Sequence, residues 1–101
     1  MSLPVFFRLD AINDLEAARA CYEERQVGLG AEFLDRMDEA VARICATPEL
    51  FGVVWGNVRA ARFRRFSYVV YYRIQSKRIE VLAVMHGRRD AEAWRSRGSD
   101  P

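Results

Sequence analysis

The period of the hydrophobic pattern changes once along this chain, and that change constrains the fold more than any other feature. After a short N-terminal apolar run, the apolar residues recur at helical spacing as far as Thr47, whereas from Val58 onward they alternate or form short apolar runs. This change predicts helices followed by an antiparallel sheet, in an α+β arrangement. Because 101 residues suit one compact domain and no linker or repeat interrupts them, we expect a single domain over 1–101.

The N-terminal half is predicted to hold one strand and a helical hairpin. The run from Leu3 to Leu9 is interpreted as a strand, and Asp10 is expected to cap the helix that follows. Gly28 to Gly30 turns the chain, and Thr47-Pro48 ends the second helix. The inward residues are expected to be Ile12, Leu15, Ala18 and Tyr22 on the first helix and Phe33, Met37, Val41 and Ile44 on the second, with Leu34 and Cys45 flanking.

The C-terminal half is predicted to form an antiparallel meander. Its strands are expected at Val58 to Arg65, Tyr68 to Ile74 and Ile79 to Met85, and Asp90 is expected to cap a short last helix that holds Trp94. The middle strand is apolar on both faces and is therefore expected to be central. The predicted fold is α+β in the order β-α-α-β-β-β(-α), with the helical hairpin packed on one face of a small, mainly antiparallel sheet.

Several classes of protein are disfavoured by the sequence. No apolar run approaches the 18 residues that a membrane span needs, and the first residues lack the basic region of a secretory signal. Cys21 and Cys45 stand at no metal-ligand spacing, and nothing resembles a phosphate-binding loop, a nucleophile elbow or a thiol–histidine pair. We therefore expect a reduced, cytoplasmic protein with no cofactor, no metal and no membrane partner.

Charge is divided between the two halves of the chain. Residues 1–50 carry five Arg and ten acidic residues, a net charge of −5, whereas residues 51–101 carry eleven basic and four acidic residues, a net charge of +7. A basic half of this kind favours an acidic partner, either a nucleic acid or an acidic protein segment. The second helix is too acidic to serve as the recognition helix of a helix-turn-helix protein.

Candidate site residues concentrate in the basic half. Arg59, Arg62, Arg64 and Arg65 fall on the first meander strand, Arg73 on the second, and His86, Arg88 and Arg89 just past the third. Antiparallel pairing is expected to bring several of them to one surface, where they bind a partner. The alternative is a solvated sheet face whose Arg side chains pair with helix carboxylates, with His86 merely ending a strand.

The order of elements and several strings resemble the RelE/ParE superfamily of toxins from bacterial type II toxin–antitoxin systems. The strings are AARACYEE from Ala17, GLGAEFL from Gly28, Val58-Arg59, RFSYVVYY from Arg65 and VLAVMHGRRDAEAWRSR from Val81. The last, a strand followed by His, two Arg, Asp, Trp and Arg, is similar to the ending of the ParE-like, plasmid-stabilisation branch. Ser67 and Ala91 stand where that branch usually has proline.

The resemblance implies a toxin neutralised by a cognate antitoxin in a hetero-oligomer, through an acidic or amphipathic C-terminal antitoxin segment. ParE-like members poison DNA gyrase, whereas RelE-like members cut mRNA on the ribosome. The residues expected to bind the target or the antitoxin are Arg59, Arg62, Arg64, Arg65, Arg73, His86, Arg88, Arg89, Trp94 and Arg97.

Two residues favour the gyrase interpretation over the ribonuclease one. RelE-like nucleases place an Arg where Val69 stands and an acid/base Tyr where Trp94 stands. An indole has no proton to exchange near neutral pH, so Trp94 does not replace a phenol in that role. The ribonuclease alternative keeps Arg62, His86 and Arg88 as a metal-independent catalytic set. A further alternative is an inert relative that binds an antitoxin and harms nothing.

Overall fold

A computed structural model describes residues 3–87 and 91–98 as a mixed sheet with three helices. The elements are β1 (Val5–Phe7), α1 (Leu9–Arg25), α2 (Leu29–Ala46), β2 (Val53–Trp55), β3 (Val58–Arg62), β4 (Tyr68–Gln75), β5 (Arg78–His86) and α3 (Glu92–Gly98). The predicted fold class is confirmed, and the structure adds the edge strand β2 to the predicted elements.

The sheet has the order β1-β5-β4-β3-β2. Strands β2 to β5 form an antiparallel meander, and β1 joins its other side parallel to β5, with Val5 opposite Ile79. The predicted central strand is confirmed, because β4 pairs with both β3 and β5. Its register with β5 shifts between Tyr71 and Tyr72, where Tyr71 lies opposite Ala83 and Tyr72 opposite Val81.

Two apolar cores lie on opposite faces of the sheet. The α1–α2 hairpin covers one face, where Phe33, Met37 and Ile44 pack on strand residues that include Val70 and Tyr72. The other face packs on α3 through Trp94, which contacts a cluster that includes Tyr71 and Leu82. The alternation of side chains along β4 therefore supplies both cores from neighbouring residues.

The start of α1 differs from the prediction. The N-cap is Arg8, with an extended backbone, and no side chain caps the helix, so the expectation for Asp10 was wrong; Asp10 lies in the first turn instead. Ile12, predicted to face inward, is 47% exposed, whereas Ala11 is fully buried. The reason is that the helix begins before Asp10, and its inward stripe runs through Ala11, Leu15, Ala18 and Tyr22. For α2 the predicted inward stripe is confirmed, although Val41 is only partly buried.

Two strand boundaries also differ. Strand β3 ends at Arg62, not at Arg65, because Arg65 adopts a left-handed backbone with φ of 73° and turns the chain back toward β4. The first strand is only three residues long, because Arg8 already begins the approach to α1.

No helix in the described parts of the chain is long and apolar enough to cross a bilayer. The proposed cap Asp90 lies outside the described residues.

Candidate functional site

A groove crosses the sheet face that α3 leaves partly uncovered. It has a volume of about 290 Å³, and most of its lining side chains are apolar. The lining residues are Gly52, Val54, Ala60, Arg62, Val69, Tyr71, Gly87 and Trp94. We call this surface the Arg62 groove, because Arg62 is its only charged lining residue among those described.

Arg62 is available for binding. It lies at the end of β3 with an exposed side chain, and its guanidinium makes no hydrogen bond or ion pair with the other described residues. An Arg guanidinium is always charged and offers several donors to a phosphate or carboxylate. The groove therefore combines apolar contact area with one cation that no other described residue pairs.

The aromatic wall of the groove is fixed by stacking. The rings of Trp94 and Tyr71 are 4.4 Å apart between centroids and only 13° from parallel. Burial raises the pKa of the Tyr71 phenol, while the charge of Arg62 and a hydrogen bond with the Trp94 side chain oppose that rise. The phenol therefore stays protonated at neutral pH and does not act there as a base.

A second hollow at the end of the sheet brings Arg62 and His86 together. It has a volume of about 450 Å³ and is also lined by Phe63, Phe66, Ser67, Tyr68 and Gly87. His86 is exposed, lies opposite Tyr68 in the sheet register, and its ring contacts that of Tyr68 edge-on at 5.7 Å. The expectation that antiparallel pairing gathers site residues holds for this pair.

The other Arg residues of the β3 region lie apart from the groove. Arg59 points to the opposite face and donates to the carbonyls of Glu49 and Phe51, at 2.9 and 2.6 Å, which holds the segment after α2. Arg65 is bonded to Glu32 of α2. Arg64 is exposed in the turn, next to Glu39 and Arg43.

Arg73 and Arg97 hold α3 against the sheet. Arg73 is 7% exposed, and it donates to Glu80 at 2.7 Å and to the carbonyl of Gly98 at 3.1 Å. Arg97 pairs with Asp14 of α1 at 2.7 Å and lies 3.7 Å from Asp10. The opposite net charges of the two halves are thus partly neutralised by ion pairs within the chain, because Asp14 pairs with Arg97 and Glu32 pairs with Arg65.

Arg88 and Arg89 lie outside the described residues. Trp94 is 5% exposed, and it serves as the wall of the groove and the anchor of α3. Val69 is buried in the same core. A valine at this position carries no charge that could bind a phosphate. Among the described residues, no group of three or more His, Cys, Asp and Glu side chains could hold a metal ion.

Sequence reasoning missed Tyr71 and Asp14. The charge pattern did not single out Tyr71, and the signal that could have found it is the Tyr71-Tyr72 pair on a central strand, where neighbouring side chains face opposite sides of the sheet. No local sequence pattern indicates that Asp14 of α1 contacts Arg97.

Comparisons with known proteins agree with this geometry. The family model described as "ParE toxin of type II toxin-antitoxin system, parDE" matches residues 5–91. No curated protein matches the chain significantly. A solved structure described as a chromosomal ParDE TA system from P. aeruginosa superposes with a TM-score of 0.62 at 15% identity, covering 84% of this chain and 96% of that one. At this identity the superposition establishes the fold, and the family match extends over most of the sequence. The chain therefore belongs to the ParE toxin family of type II toxin–antitoxin systems.

Proposed function

We propose that this ParE-type toxin inhibits growth by poisoning DNA gyrase and that a cognate antitoxin neutralises it. The observation that carries the proposal is the Arg62 groove, a surface of mainly apolar side chains with one cation that is unpaired within the described parts of the chain, in a chain whose family is that of ParE toxins. Poisoning requires only a surface that stabilises the wrong state of the target enzyme. It needs no general acid or base, and the aromatic wall of the groove has no base at neutral pH.

The antitoxin is proposed to bind through an acidic or amphipathic segment in a hetero-oligomer. The net charge of +7 in residues 51–101 supports an acidic partner. Within the groove, apolar side chains would pack on Val54 and Val69, and a carboxylate would pair with Arg62. Arg88 and Arg89, which lie outside the described residues, remain proposed contributors to this basic surface, and Arg64 is a proposed exposed contact. Because gyrase is the proposed target, we place the protein in the cytoplasm.

The proposal is tested by following DNA and protein synthesis after expression without antitoxin. Thymidine and amino-acid incorporation are measured in one culture, and purified protein is added to gyrase, ATP and supercoiled plasmid to detect trapped cleavage complexes. We expect DNA synthesis to stop first and linear DNA to accumulate. If neither process is affected while the protein folds, the chain is an inert relative and the proposal is wrong.

Arg62→Ala should reduce cleavage-complex formation at least tenfold. Arg78→Ala is the matched control, because Arg78 also lies on the sheet but stacks over Phe6, away from the groove. Equal potency of the two variants would contradict the role of the groove. Both variants should unfold at the wild-type denaturant concentration.

A ribonuclease acting on ribosome-bound mRNA is the second candidate. It is favoured by one observation, that Arg62 and His86 line the same hollow, where Arg62 could hold a phosphate and His86 transfer a proton. In that case protein synthesis stops first and His86→Ala abolishes toxicity. Toxicity that persists in His86→Ala excludes this candidate.

A further inference from the structure

The strand β2 presents an apolar edge to solvent. Val53, Val54 and Trp55 are 52%, 46% and 36% exposed, although all three are large hydrophobic residues in a strand. The sheet order places β2 last, bonded to β3 on one side only. Leu50, three residues before the strand, is also exposed.

On this edge, the backbone of Val53 points away from the sheet. The carbonyl of Gly52 accepts the N–H of Ala60 on β3 at 3.3 Å. Because successive residues of an antiparallel strand point their backbone groups to opposite sides, the N–H and carbonyl of Val53 point away from β3. Strand edges are ordinarily protected by charged side chains, proline or a covering segment, and Val53–Trp55 contains no charge and no proline.

The other edge of the sheet, at β1 and β5, is protected from pairing with a further strand, whereas the β2 edge is not. Strand β1 covers only the first part of β5, and beyond it Asp14 accepts the N–H of Val84 while Arg97 donates to the carbonyl of Leu82. Side chains thus occupy the backbone positions that another strand would use. The contrast indicates that pairing is blocked at one side of the sheet and open at the other.

We propose that β2 is the interface of a homodimer, in which two copies pair their β2 edges antiparallel about a two-fold axis near Val53. A second copy fits because an antiparallel edge is self-complementary under a two-fold axis. The strand itself is uncharged, and the charges beside Trp55 are one Glu and one Arg, Glu92 and Arg95, so the surface is balanced. An acidic partner would form an ion pair with Arg62 in the groove, because β2 itself carries no charged side chain.

The size of the patch sets the expected strength of the dimer. Only three partly exposed side chains form the apolar patch, so the interface is smaller than the roughly 1,200 Å² at the small end of specific interfaces. We therefore expect a dissociation constant in the micromolar range. This inference does not depend on which target the toxin poisons, although Val54 also lines the Arg62 groove.

The test is sedimentation equilibrium of the full chain from about 1 µM to hundreds of micromolar. The wild type should change from monomer to dimer over this range. Val53→Lys should raise the dimer dissociation constant at least tenfold, whereas Val27→Lys, the same change in the exposed α1–α2 turn, should not change it. A wild type that stays monomeric, or a dimer that persists in Val53→Lys, would overturn the proposal.

Hydrogen exchange provides a measurement that needs no variant. The Val53 amide should be protected in concentrated wild-type protein and exchange freely when it is dilute, while amides of the central strand β4 stay protected throughout. Exchange at Val53 that does not depend on concentration contradicts the dimer. If the chain is monomeric and Val53→Lys instead weakens antitoxin binding, the edge belongs to the antitoxin and the homodimer proposal is wrong.

Discussion

Asp14 and Arg97 form an ion pair between α1 and α3, with Nη1 of Arg97 2.7 Å from Oδ2 of Asp14. Both side chains are only 18% exposed. The same two groups also bond the backbone of β5, at Val84 and Leu82. One residue pair therefore joins two helices and completes the hydrogen bonding of a strand that β1 covers only in part.

Replacing Asp14 by Ala should destabilise the protein by about 2–4 kcal/mol. The change removes the nearer of the two carboxylates beside Arg97, leaving only Asp10 at 3.7 Å, and it leaves the Val84 N–H without its acceptor in a mostly buried setting. Urea unfolding measures the loss. The control is Glu16→Ala, which removes the exposed pair with Arg19 and should cost much less than Asp14→Ala, because solvent screens that pair. Equal losses of unfolding free energy in the two variants would show that the buried pair stabilises the protein no more than the exposed one.

Gly30→Ala should destabilise the helical hairpin by about 1–3 kcal/mol. A Cβ there would lie 2.9 Å from Oε1 of Glu23 and 3.0 Å from the carbonyl of Arg19, and the second is backbone that cannot move freely. Glu23 would also be displaced from the N–H groups of Gly28 and Gly30, whose hydrogen bonds lower the pKa of its carboxyl. Thermal unfolding checks the change. Gly52→Ala is the control, because nothing lies within 4 Å of its added Cβ; a greater loss there than at Gly30 contradicts the steric argument.

Stability should fall between about pH 10 and pH 12 because of Tyr72. Burial raises the pKa of this phenol from 10.0 to about 12, so the unfolded chain releases the proton at lower pH than the folded protein does. The unfolded state then binds fewer protons in that window, and stability is lost as pH rises through it. Urea unfolding at several alkaline pH values, compared with Tyr72→Phe, measures the effect. The variant should lose less stability over the window, and parallel curves would refute the assignment.

Tyr72→Phe should itself cost about 0.5–1.5 kcal/mol at neutral pH, because the phenol donates to the carbonyl of Pro48 at 2.6 Å. The measurement is urea unfolding at pH 7. A variant as stable as the wild type would indicate that water replaces the phenol at Pro48.

Trp94→Ala should destabilise the protein by about 3–5 kcal/mol and detach α3 from the sheet. Trp94 supplies the ring that stacks on Tyr71 and most of the side-chain volume that α3 buries. Trp94→Phe should lose much less, because it keeps a ring on Tyr71. Denaturant unfolding compares the two, and similar losses would contradict a stacking role for the ring.

The helices and strands were predicted well from the sequence where the spacing of hydrophobic residues distinguishes a helix from a strand. The helical hairpin, the central β4 and the α+β class follow from the stripe through Phe33 and Met37 and from the apolar run at Tyr68 to Ile74. Strand β2 was not predicted, because its three residues are all hydrophobic and show no alternation of apolar and polar side chains. Asp10 failed as a cap because several positions can begin a helix, and the local pattern does not choose among them.

The candidate site was less predictable, because its parts come together only through tertiary contacts. Charge patterning grouped Arg59, Arg62 and Arg65 on one strand, but strand alternation and the turn at Arg65 direct them to different neighbours. Arg73 and Arg97 pair with acidic residues that lie elsewhere in the chain or across the sheet. Which Arg remains unpaired depends on where each carboxylate lies, and sequence composition holds no such information.

The parallel seam between β1 and β5 has a consequence for the order of folding. The meander joins strands that are neighbours in the chain, whereas Val5 meets Ile79 only after the whole hairpin and meander have been traversed. Long-range contacts of this kind tend to form late, since loop closure opposes them until the rest is in place. Weakening the seam, for example by Val5→Ala, is therefore expected to speed unfolding while leaving the folding rate nearly unchanged. The lifetime of the folded toxin, and not the speed with which it forms, would then be set at this seam.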